Sequence, residues 1–216
     1  MGSLVGSMLV IQLLPLTPIH IHCVYYLMSQ PPAISHLDPT QLHIRPAEPE
    51  DVLPCSLLEG GYQTDYVWQM HLQENERLVQ TIFNRVRLPR TMPVAYPYSE
   101  TELKTIFEQA DLLLVACYGA EIVGCLEGQF DSLQKVLTIN NLIVNTAVRG
   151  QKIGKRLLNG ARIIAEQHNC QMLNITLQTK NNPTIRFVQK LGFAYAGYND
   201  KLYLNGDIAL IFSLKL

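Results

Sequence analysis

Apolar residues recur along the chain at two spacings, which predict an alternation of strands and helices. Alternating or continuous apolar runs, which are typical of strands, occupy Leu42–Arg45, Leu112–Tyr118, Ile122–Phe130, Val136–Val144, Cys170–Gln178, Tyr195–Leu204 and Ile208–Lys215. Short turns join the second, third and fourth runs, so three antiparallel strands follow one another. Asn205-Gly206 predicts a hairpin turn between the last two runs.

Four other stretches predict helices, because their apolar residues return every three or four positions. They begin near Pro46, Ser99, Ile153 and Asn182. Ser99 and Glu102 have the spacing of a capping box, and Asn182-Pro183 is typical of an N-cap followed by a first turn. A crossover from Val144 through the third helix predicts a parallel strand pair, so the order indicates an α/β fold with a mixed sheet.

Two early stretches leave alternatives open. Tyr62–Glu76 fits either a helix or a loop, and its Tyr62, Tyr66 and Trp68 are candidates for an acceptor pocket or for core packing. Leu78–Val86 has helical spacing, whereas its β-branched and aromatic residues favour a strand. Pro89 and Pro93 are predicted to close this second stretch.

The composition narrows the classes of protein. The chain has 216 residues, of which 48% are hydrophobic, so it is long enough for one domain with a real core. A formal net charge of −1 argues against nucleic acid as a partner. The five cysteines are scattered, which predicts free thiols and a cytoplasmic protein, and the histidines have no metal-binding spacing.

Residues 1–41 differ from the rest of the chain. The apolar stretch Leu4–Met28 is interrupted by Pro15 and Pro18, so it matches neither a secretory signal nor a membrane-spanning helix. Met28 is a plausible alternative start, which would make 1–27 an upstream extension. Residues 29–41 are predicted to be a linker, and 42–216 the working domain.

The stretch Leu142–Gly154 is the strongest candidate for a ligand site. The predicted strand that ends at Val144 enters a turn, Arg149-Gly150-Gln151-Lys152-Ile153-Gly154, and a helix follows at once. Backbone N–H groups and the helix dipole favour a negative ligand at such a turn, so the pattern predicts a phosphate-bearing molecule.

Two motifs in this order resemble those of the GNAT N-acetyltransferase superfamily. The turn Arg149–Gly154 is similar to R/Q-x-x-G-x-G/A, and Asn181–Phe193 is similar to N-x-x-A-x-x-F/L-Y-x-x-x-G-F. The resemblance implies a mostly antiparallel sheet of six or seven strands flanked by about four helices. It also implies acetyl-CoA as the cofactor, with CoA as a product.

The resemblance assigns roles to particular residues. The backbone of Leu142, Ile143 and Val144 would pair with the pantetheine amides and stabilise the oxyanion. The pyrophosphate would lie against Arg149, Gly150, Gln151, Lys152, Ile153, Gly154 and Lys155. Asn181 would bind the pantetheine arm.

This sequence departs from the family pattern at two positions. Lys152 stands where the first glycine of the motif usually lies, and a positive φ would strain it. Val188 replaces the tyrosine that often protonates the leaving thiolate. Tyr195, Tyr198 and Tyr203 are substitutes, of which Tyr198 and Tyr203 are the predicted acids, and Glu127 is the predicted base. Packing is the alternative role for the tyrosines, and a structural charge on its strand is the alternative for Glu127.

The acceptor is predicted to be a small-molecule or peptide primary amine. Leu202-Tyr203 and Asp207–Phe212 resemble the ending of streptothricin-type acetyltransferases, which favours a small molecule. The resemblance also implies a homodimer. Two other hypotheses stay open: a catalytically weak CoA-binding module, and a nucleotide-binding protein that uses the same helix N-terminus.

Overall fold

The computed structural model describes residues 37–216, which form strands and helices in the alternating order that the pattern predicts. The strands are β1 (Leu42–Pro46), β2 (Tyr62–Asn75), β3 (Leu78–Val94), β4 (Leu112–Tyr118), β5 (Glu121–Asp131), β6 (Val136–Val144), β7 (Met172–Gln178), β8 (Ala194–Asn199) and β9 (Ala209–Lys215). The α-helices are α1 (Val52–Ser56), α2 (Glu100–Glu108), α3 (Ile153–Gln167) and α4 (Asn182–Lys190). Short 3-10 turns occupy Pro49–Asp51 and Thr146–Val148.

Seven strands form one sheet in the order β1-β4-β5-β6-β7-β9-β8. The pair β6–β7 is parallel and the other neighbours are antiparallel, so the predicted crossover and the mixed, mostly antiparallel α/β sheet are confirmed. The predicted capping box also forms, because the Ser99 side chain accepts from the Glu102 N–H and the Glu102 carboxylate accepts from the Ser99 N–H.

The parallel pair β6–β7 separates half-way along its length. Its last paired residues are Ile139 and Ile175, after which β6 pairs only with β5. A bulge starts this separation: Glu127 faces Asn141 and Gly128 faces Ile139, so Asn140 is an extra residue on β6. Since a bulge bends the strand that carries it, β6 turns away from β7 and leaves a wedge between them.

Helices cover both faces of the sheet. On one face, Cys55 of α1 and Phe107 of α2 pack with Cys125 and Ile143 of the sheet. On the other face α3 lies close to Gly124, where an added Cβ would lie 2.9 Å from the Ile143 carbonyl oxygen and 3.5 Å from Leu157. These contacts hold the start of α3 against the end of β6.

The two stretches for which the sequence leaves alternatives open are both strands, and they form a two-stranded ribbon, β2–β3. The helix and loop alternatives for Tyr62–Glu76 are therefore wrong, and the strand alternative for Leu78–Val86 is confirmed. Pro89 and Pro93 do not close β3, which continues to Val94. Pro89 lies at an irregularity in the pairing, where a missing N–H costs no ladder hydrogen bond.

Two C-terminal predictions need correction. The strand β8 ends at Asn199, so Tyr203 and the turn at Gly206 (φ +78°) belong to a loop before β9. The N-cap of α4 is Asn181 rather than Asn182, because the Asn181 side chain accepts a hydrogen bond from the Thr184 N–H. Asn182 is instead buried and accepts from the Arg85 guanidinium.

The described chain begins against the domain. Leu37 is buried, and its N–H donates to the Gln151 side chain at 2.6 Å. The Arg156 guanidinium donates to the Pro39 and Leu42 carbonyl oxygens. These contacts join 37–41, which the sequence assigns to the linker, to the folded domain.

The predicted extension 1–27 lies outside the described residues, as does most of the predicted linker. Among residues 37–216, every helix falls short of the length and apolarity that a membrane crossing requires.

Candidate active site

A groove of about 520 Å³ opens where β6 and β7 separate. Its walls come from β6, the turn before α3 and the first turn of α3, the whole length of α4, and the segments around Gly60 and Tyr96. They include Gly60, Tyr62, Tyr96, Leu142, Val144, Arg149, Gly150, Lys152, Gly154, Lys155, Asn181, Thr184 and Phe187. The volume lies in the range of sites that bind cofactors and small ligands.

Strand β6 presents its backbone edge to this groove. Leu142 and Val144 line it, whereas Ile143 points to the opposite side and is buried in the core. Beyond Ile139 this edge has no strand partner within residues 37–216. Its backbone groups can therefore pair with an extended ligand, as they would pair with a further strand.

The turn before α3 adopts left-handed backbone at two positions. Gly150 has φ +84° and Lys152 has φ +65°. The second value costs a non-glycine residue about 1–2 kcal/mol, so the strain expected at Lys152 is present. The first hydrogen bond of the helix runs from the Arg156 N–H to the Lys152 carbonyl, so the earlier N–H groups have no partner inside the helix.

Arg149 uses its guanidinium to tie loops together. It donates to the carbonyl oxygens of Val144 at 2.9 Å, Gly61 at 2.8 Å and Glu59 at 3.1 Å. The side chain that the sequence predicts to face phosphate thus holds the loop before β2 against the end of β6. It still borders the groove, beside Gly60.

Three other predicted cofactor-binding residues have structural partners as well. Gln151 accepts from the Leu37 N–H, and Ile153 is buried beside Gly124. Asn181 caps α4 by accepting the Thr184 N–H with its side-chain oxygen, and the residue borders the groove. These residues can contribute to a ligand through backbone N–H groups or, for Asn181, through the amide.

A smaller pocket of about 30 Å³ continues from the groove between β6 and β7. Tyr96, Leu142, Asn181 and Thr184 border both cavities. Tyrosine rings form much of its wall: the Tyr98 ring lies 6.3 Å from Tyr96 and 6.4 Å from Tyr203 between centroids. The pocket is therefore narrow and aromatic at the point where it meets the groove.

Tyr203 is the predicted acid that the structure brings to this pocket. It is buried, and burial raises the pKa of its phenol above the ordinary value, so the hydroxyl keeps its proton at neutral pH. Its loop is anchored by Asp207, whose carboxylate accepts from Gln178 at 2.7 Å and forms an ion pair with Lys180. A phenol that stays protonated can act as a proton donor.

Tyr198, the other predicted acid, lies elsewhere. Its hydroxyl is 3.1 Å from the Thr81 hydroxyl, and its ring packs edge-on against Phe83 of the ribbon β2–β3. It borders neither the groove nor the narrow pocket. Tyr195 also packs against Phe83, so neither side chain reaches the separated strands.

Glu127, the predicted base, is fully buried and also borders neither cavity. One of its oxygens accepts a hydrogen bond from the Asn141 side chain at 2.7 Å. The other, Oε1, has no partner among residues 37–216. Burial raises the pKa of this carboxyl, although the neighbouring Asn141 and Asn140 side chains oppose the shift.

Several residues of the site escape prediction from the sequence. Tyr96 and Tyr98 border the narrow pocket, and Tyr96 bonds the Asn141 side chain, which is 45 residues away. The sequence offers one signal for them, the aromatic segment Tyr96-Pro97-Tyr98 before the capping box. Of the earlier aromatic candidates, Tyr62 lines the groove, whereas Tyr66 stacks under the Arg85 guanidinium.

Val188, at the position of the family's usual tyrosine, is fully buried in the core. Valine carries no ionisable group, so any proton donor for the leaving thiolate comes from another element. Residues 37–216 contain no group of three or more His, Cys, Asp or Glu side chains placed to hold a metal ion.

Comparison with known proteins decides the family. Residues 73–193, more than half of the chain, match the acetyltransferase (GNAT) family. The chain belongs to this family. A GNAT protein is an N-acetyltransferase that uses acetyl-CoA, and the groove between β6 and β7 offers a free backbone edge to an extended cofactor.

Particular relatives agree with the assignment. The streptothricin acetyltransferase of Streptomyces lavendulae is 24% identical over 79% of this chain and 93% of its own length. The solved structure of a nourseothricin acetyltransferase superposes with a TM-score of 0.70 at 19% identity, over 81% of this chain and 98% of the other. A Bacillus anthracis protein solved with acetyl coenzyme A gives a TM-score of 0.64 at 17% identity, over 83% and 99%. The structural likenesses show the same fold.

Replacing Arg149 by alanine should raise the KM for acetyl-CoA about tenfold, because three hydrogen bonds between the groove's loops are lost. Arg149→Lys should behave similarly, since one ammonium cannot span three carbonyl groups. Steady-state kinetics and thermal unfolding measure both effects.

Arg156→Ala is the matched control. Arg156 also donates to two backbone carbonyl groups but lies outside the groove, so its loss should lower stability and leave the KM unchanged. Full recovery of acetyl-CoA affinity in Arg149→Lys would instead mean that Arg149 acts by its charge on phosphate.

Proposed function

We propose that this GNAT enzyme transfers the acetyl group of acetyl-CoA to a primary amine of a small molecule, with a streptothricin-type compound as the first candidate. The observation that carries the proposal is the separation of β6 from β7 after Ile139, which opens the groove onto the N-terminus of α3 and into a tyrosine-lined pocket. The likeness to the streptothricin acetyltransferase, which extends over 93% of that protein, supports the acceptor class.

The cofactor-binding roles follow from the backbone. The free edge at Leu142 and Val144 would pair with the pantetheine amides, and the Asn181 amide would donate to the same arm. The N–H groups from Gly150 to Lys155 would surround the pyrophosphate, where the helix dipole adds positive potential. In this arrangement the side chains of Lys152 and Lys155 add charge at the rim.

Acetyl-CoA supplies an acetyl group activated as a thioester. The neutral amine would form the new N–C bond as the C–S bond breaks. The nitrogen would release one proton to solvent water, and the sulfur would gain one from a donor that solvent then reprotonates. A backbone N–H of the Leu142–Val144 segment would stabilise the negative charge on the carbonyl oxygen. Tyr203 would donate the proton to the sulfur, a role that its protonated state at neutral pH supports.

The cellular setting also stays a proposal. Cys55, Cys117, Cys125 and Cys170 are free and buried, which supports a reducing cytoplasm as the compartment. The homodimer implied by the family resemblance is testable by light scattering of the full chain.

The test is an acceptor panel with release of free CoA thiol as the readout. The panel contains nourseothricin, lysine, spermidine and a short peptide with a free N-terminus. Acetylation of nourseothricin at the highest kcat/KM, with one acetyl group found on a primary amine by mass spectrometry, is the expected result. Preferred acetylation of the peptide would overturn the small-molecule proposal. Calorimetric binding of acetyl-CoA without turnover of any amine would favour a CoA-binding module.

A further inference from the structure

Three side chains form a hydrogen-bonded chain from the core to the edge of the groove. The Asn141 amide donates from Nδ2 to Glu127 Oε2 at 2.7 Å, and the Tyr96 hydroxyl donates to Asn141 Oδ1, also at 2.7 Å. Glu127 and Asn141 are buried, whereas the Tyr96 side chain borders both the groove and the narrow pocket. The chain thus starts at a carboxyl that borders neither cavity and ends at a side chain that borders both.

An ionised Glu127 fixes the direction of every hydrogen bond in this chain. Both oxygens of a carboxylate only accept, so the Asn141 amide then presents its NH2 group to Glu127. Its oxygen then faces Tyr96, and the only hydrogen bond that Tyr96 can make with it is one that Tyr96 donates. Burial raises the pKa of the Tyr96 phenol, so the proton needed for this bond stays in place. Because that proton is committed to Asn141, Tyr96 offers only its oxygen lone pairs to the cavities.

The position of the Tyr96 ring is equally constrained. A Cβ added at Gly60 would lie 2.4 Å from the ring's Cδ2 atom, closer than real Cβ contacts allow. The loop that carries Gly60 is held by the Arg149 bonds to Glu59 and Gly61. The ring is therefore packed between this loop and the sheet, at the junction of the two cavities.

We propose that Tyr96 is a further catalytic residue, which accepts a hydrogen bond from the N–H of the acceptor amine and so turns the nitrogen lone pair towards the thioester. Glu127 is a positioning residue, which acts through Asn141 by fixing the direction of the Tyr96 hydroxyl. This inference rests on the proposed function and deepens it. It assigns the orientation of the acceptor amine to the Tyr96 side chain, and it removes Glu127 from the role of base.

Burial supports this division of roles. A general base must lie within hydrogen-bond reach of the amine or of one intervening water. Glu127 borders neither cavity, and two side chains stand between it and the groove. What Asn141 needs from Glu127 is an acceptor oxygen, which glutamine also provides.

The first test is Tyr96→Phe, which removes the hydroxyl and keeps the ring. It should lower kcat/KM for the fastest acceptor of the panel about tenfold to a hundredfold, the effect of one hydrogen bond to a charged or reacting group. The KM for acetyl-CoA should stay within about twofold, since the cofactor contacts are backbone groups elsewhere in the groove. Tyr198→Phe is the matched control: it removes another hydroxyl with one side-chain hydrogen bond, away from both cavities, and should leave the kinetics unchanged.

The second test separates positioning from base catalysis. Glu127→Gln should keep kcat/KM within about threefold of the wild-type value, and Glu127→Leu should fall to the level of Tyr96→Phe. The double variant Glu127→Leu with Tyr96→Phe should lose no more than Tyr96→Phe alone, because both changes remove one interaction. If Glu127→Leu does not fold, Asn141→Leu breaks the same chain and is judged by the same comparison.

Three results would overturn the inference while leaving the proposed function intact. They are a Tyr96→Phe variant with wild-type kinetics, a Glu127→Gln variant as slow as Glu127→Leu, and losses that multiply in the double variant. Absence of turnover by the wild-type chain on every amine of the panel would overturn the proposed function, and the inference with it.

Discussion

Replacing Gly150 by proline should weaken acetyl-CoA binding by about a hundredfold or more, because proline cannot adopt the backbone of this turn. Gly150 has φ +84°, and the proline ring holds φ near −65°. The substitution would rotate the adjoining peptide planes and remove one N–H group from the proposed pyrophosphate site. The turn would then direct its remaining N–H groups away from the ligand, and calorimetric titration with CoA measures the loss.

The effect should come from the backbone alone, since an added Cβ at Gly150 meets no atom within 4 Å. Gly119→Pro is the matched control, because Gly119 has φ +60° and equally open surroundings but lies at the β4–β5 turn, outside the groove. That variant should unfold at a lower temperature and bind CoA normally. A folded Gly150→Pro protein with unchanged CoA affinity would show that the turn does not bind the pyrophosphate.

The sequence predicts the fold and the turn before α3 well because both depend on local patterns. Apolar spacing identifies the three central strands, α3 and the parallel crossover, and Ser99 with Glu102 identifies a helix start. Gly150 and Lys152 lie two residues apart in one turn, so their left-handed backbone is a property of a few neighbouring residues. Such features need no knowledge of distant parts of the chain.

Contacts between distant residues are what the sequence does not predict. The motif around Arg149 predicts that its side chain binds phosphate. Its hydrogen-bond partner Gly61 is 88 residues away, so only the fold shows that the two residues meet. Asn141 likewise has a role only because it meets Tyr96 and because Asn140 forms a bulge beside it. Neither contact can be predicted from the residues around Asn141 alone. Nothing in the residues around Glu127 shows that its carboxyl is fully buried and hydrogen-bonded to Asn141.

The ribbon β2–β3 was ambiguous for a different reason. It has only two strands, and Leu72, Val79 and Ile82 are exposed to solvent, so its apolar residues do not follow one buried face. Without that face, the period of two that identifies a strand is lost. β-Branched and aromatic content was the better guide to this segment than spacing.

Replacing Tyr203 by phenylalanine should lower kcat about a hundredfold, because the proposed donor of the thiolate's proton is removed while the ring is kept. The KM for acetyl-CoA should change little, since Tyr203 borders the narrow pocket rather than the groove. The raised pKa of Tyr203 means that the hydroxyl stays protonated through neutral pH, so the wild-type rate should not fall there from loss of this proton. Steady-state kinetics across pH 6–9, a range chosen around neutrality, measure both properties.

Tyr98→Phe decides whether proton donation belongs to Tyr203 or to its neighbour in the same pocket. The two rings lie 6.4 Å apart between centroids, and burial raises the pKa of both phenols, so they differ mainly in position. A large loss of kcat in Tyr98→Phe with a nearly normal Tyr203→Phe would transfer the role to Tyr98. Normal kcat in both single variants and in the double variant would mean that the thiolate leaves without a proton donor, which its ordinary thiol pKa of about 8–9 permits.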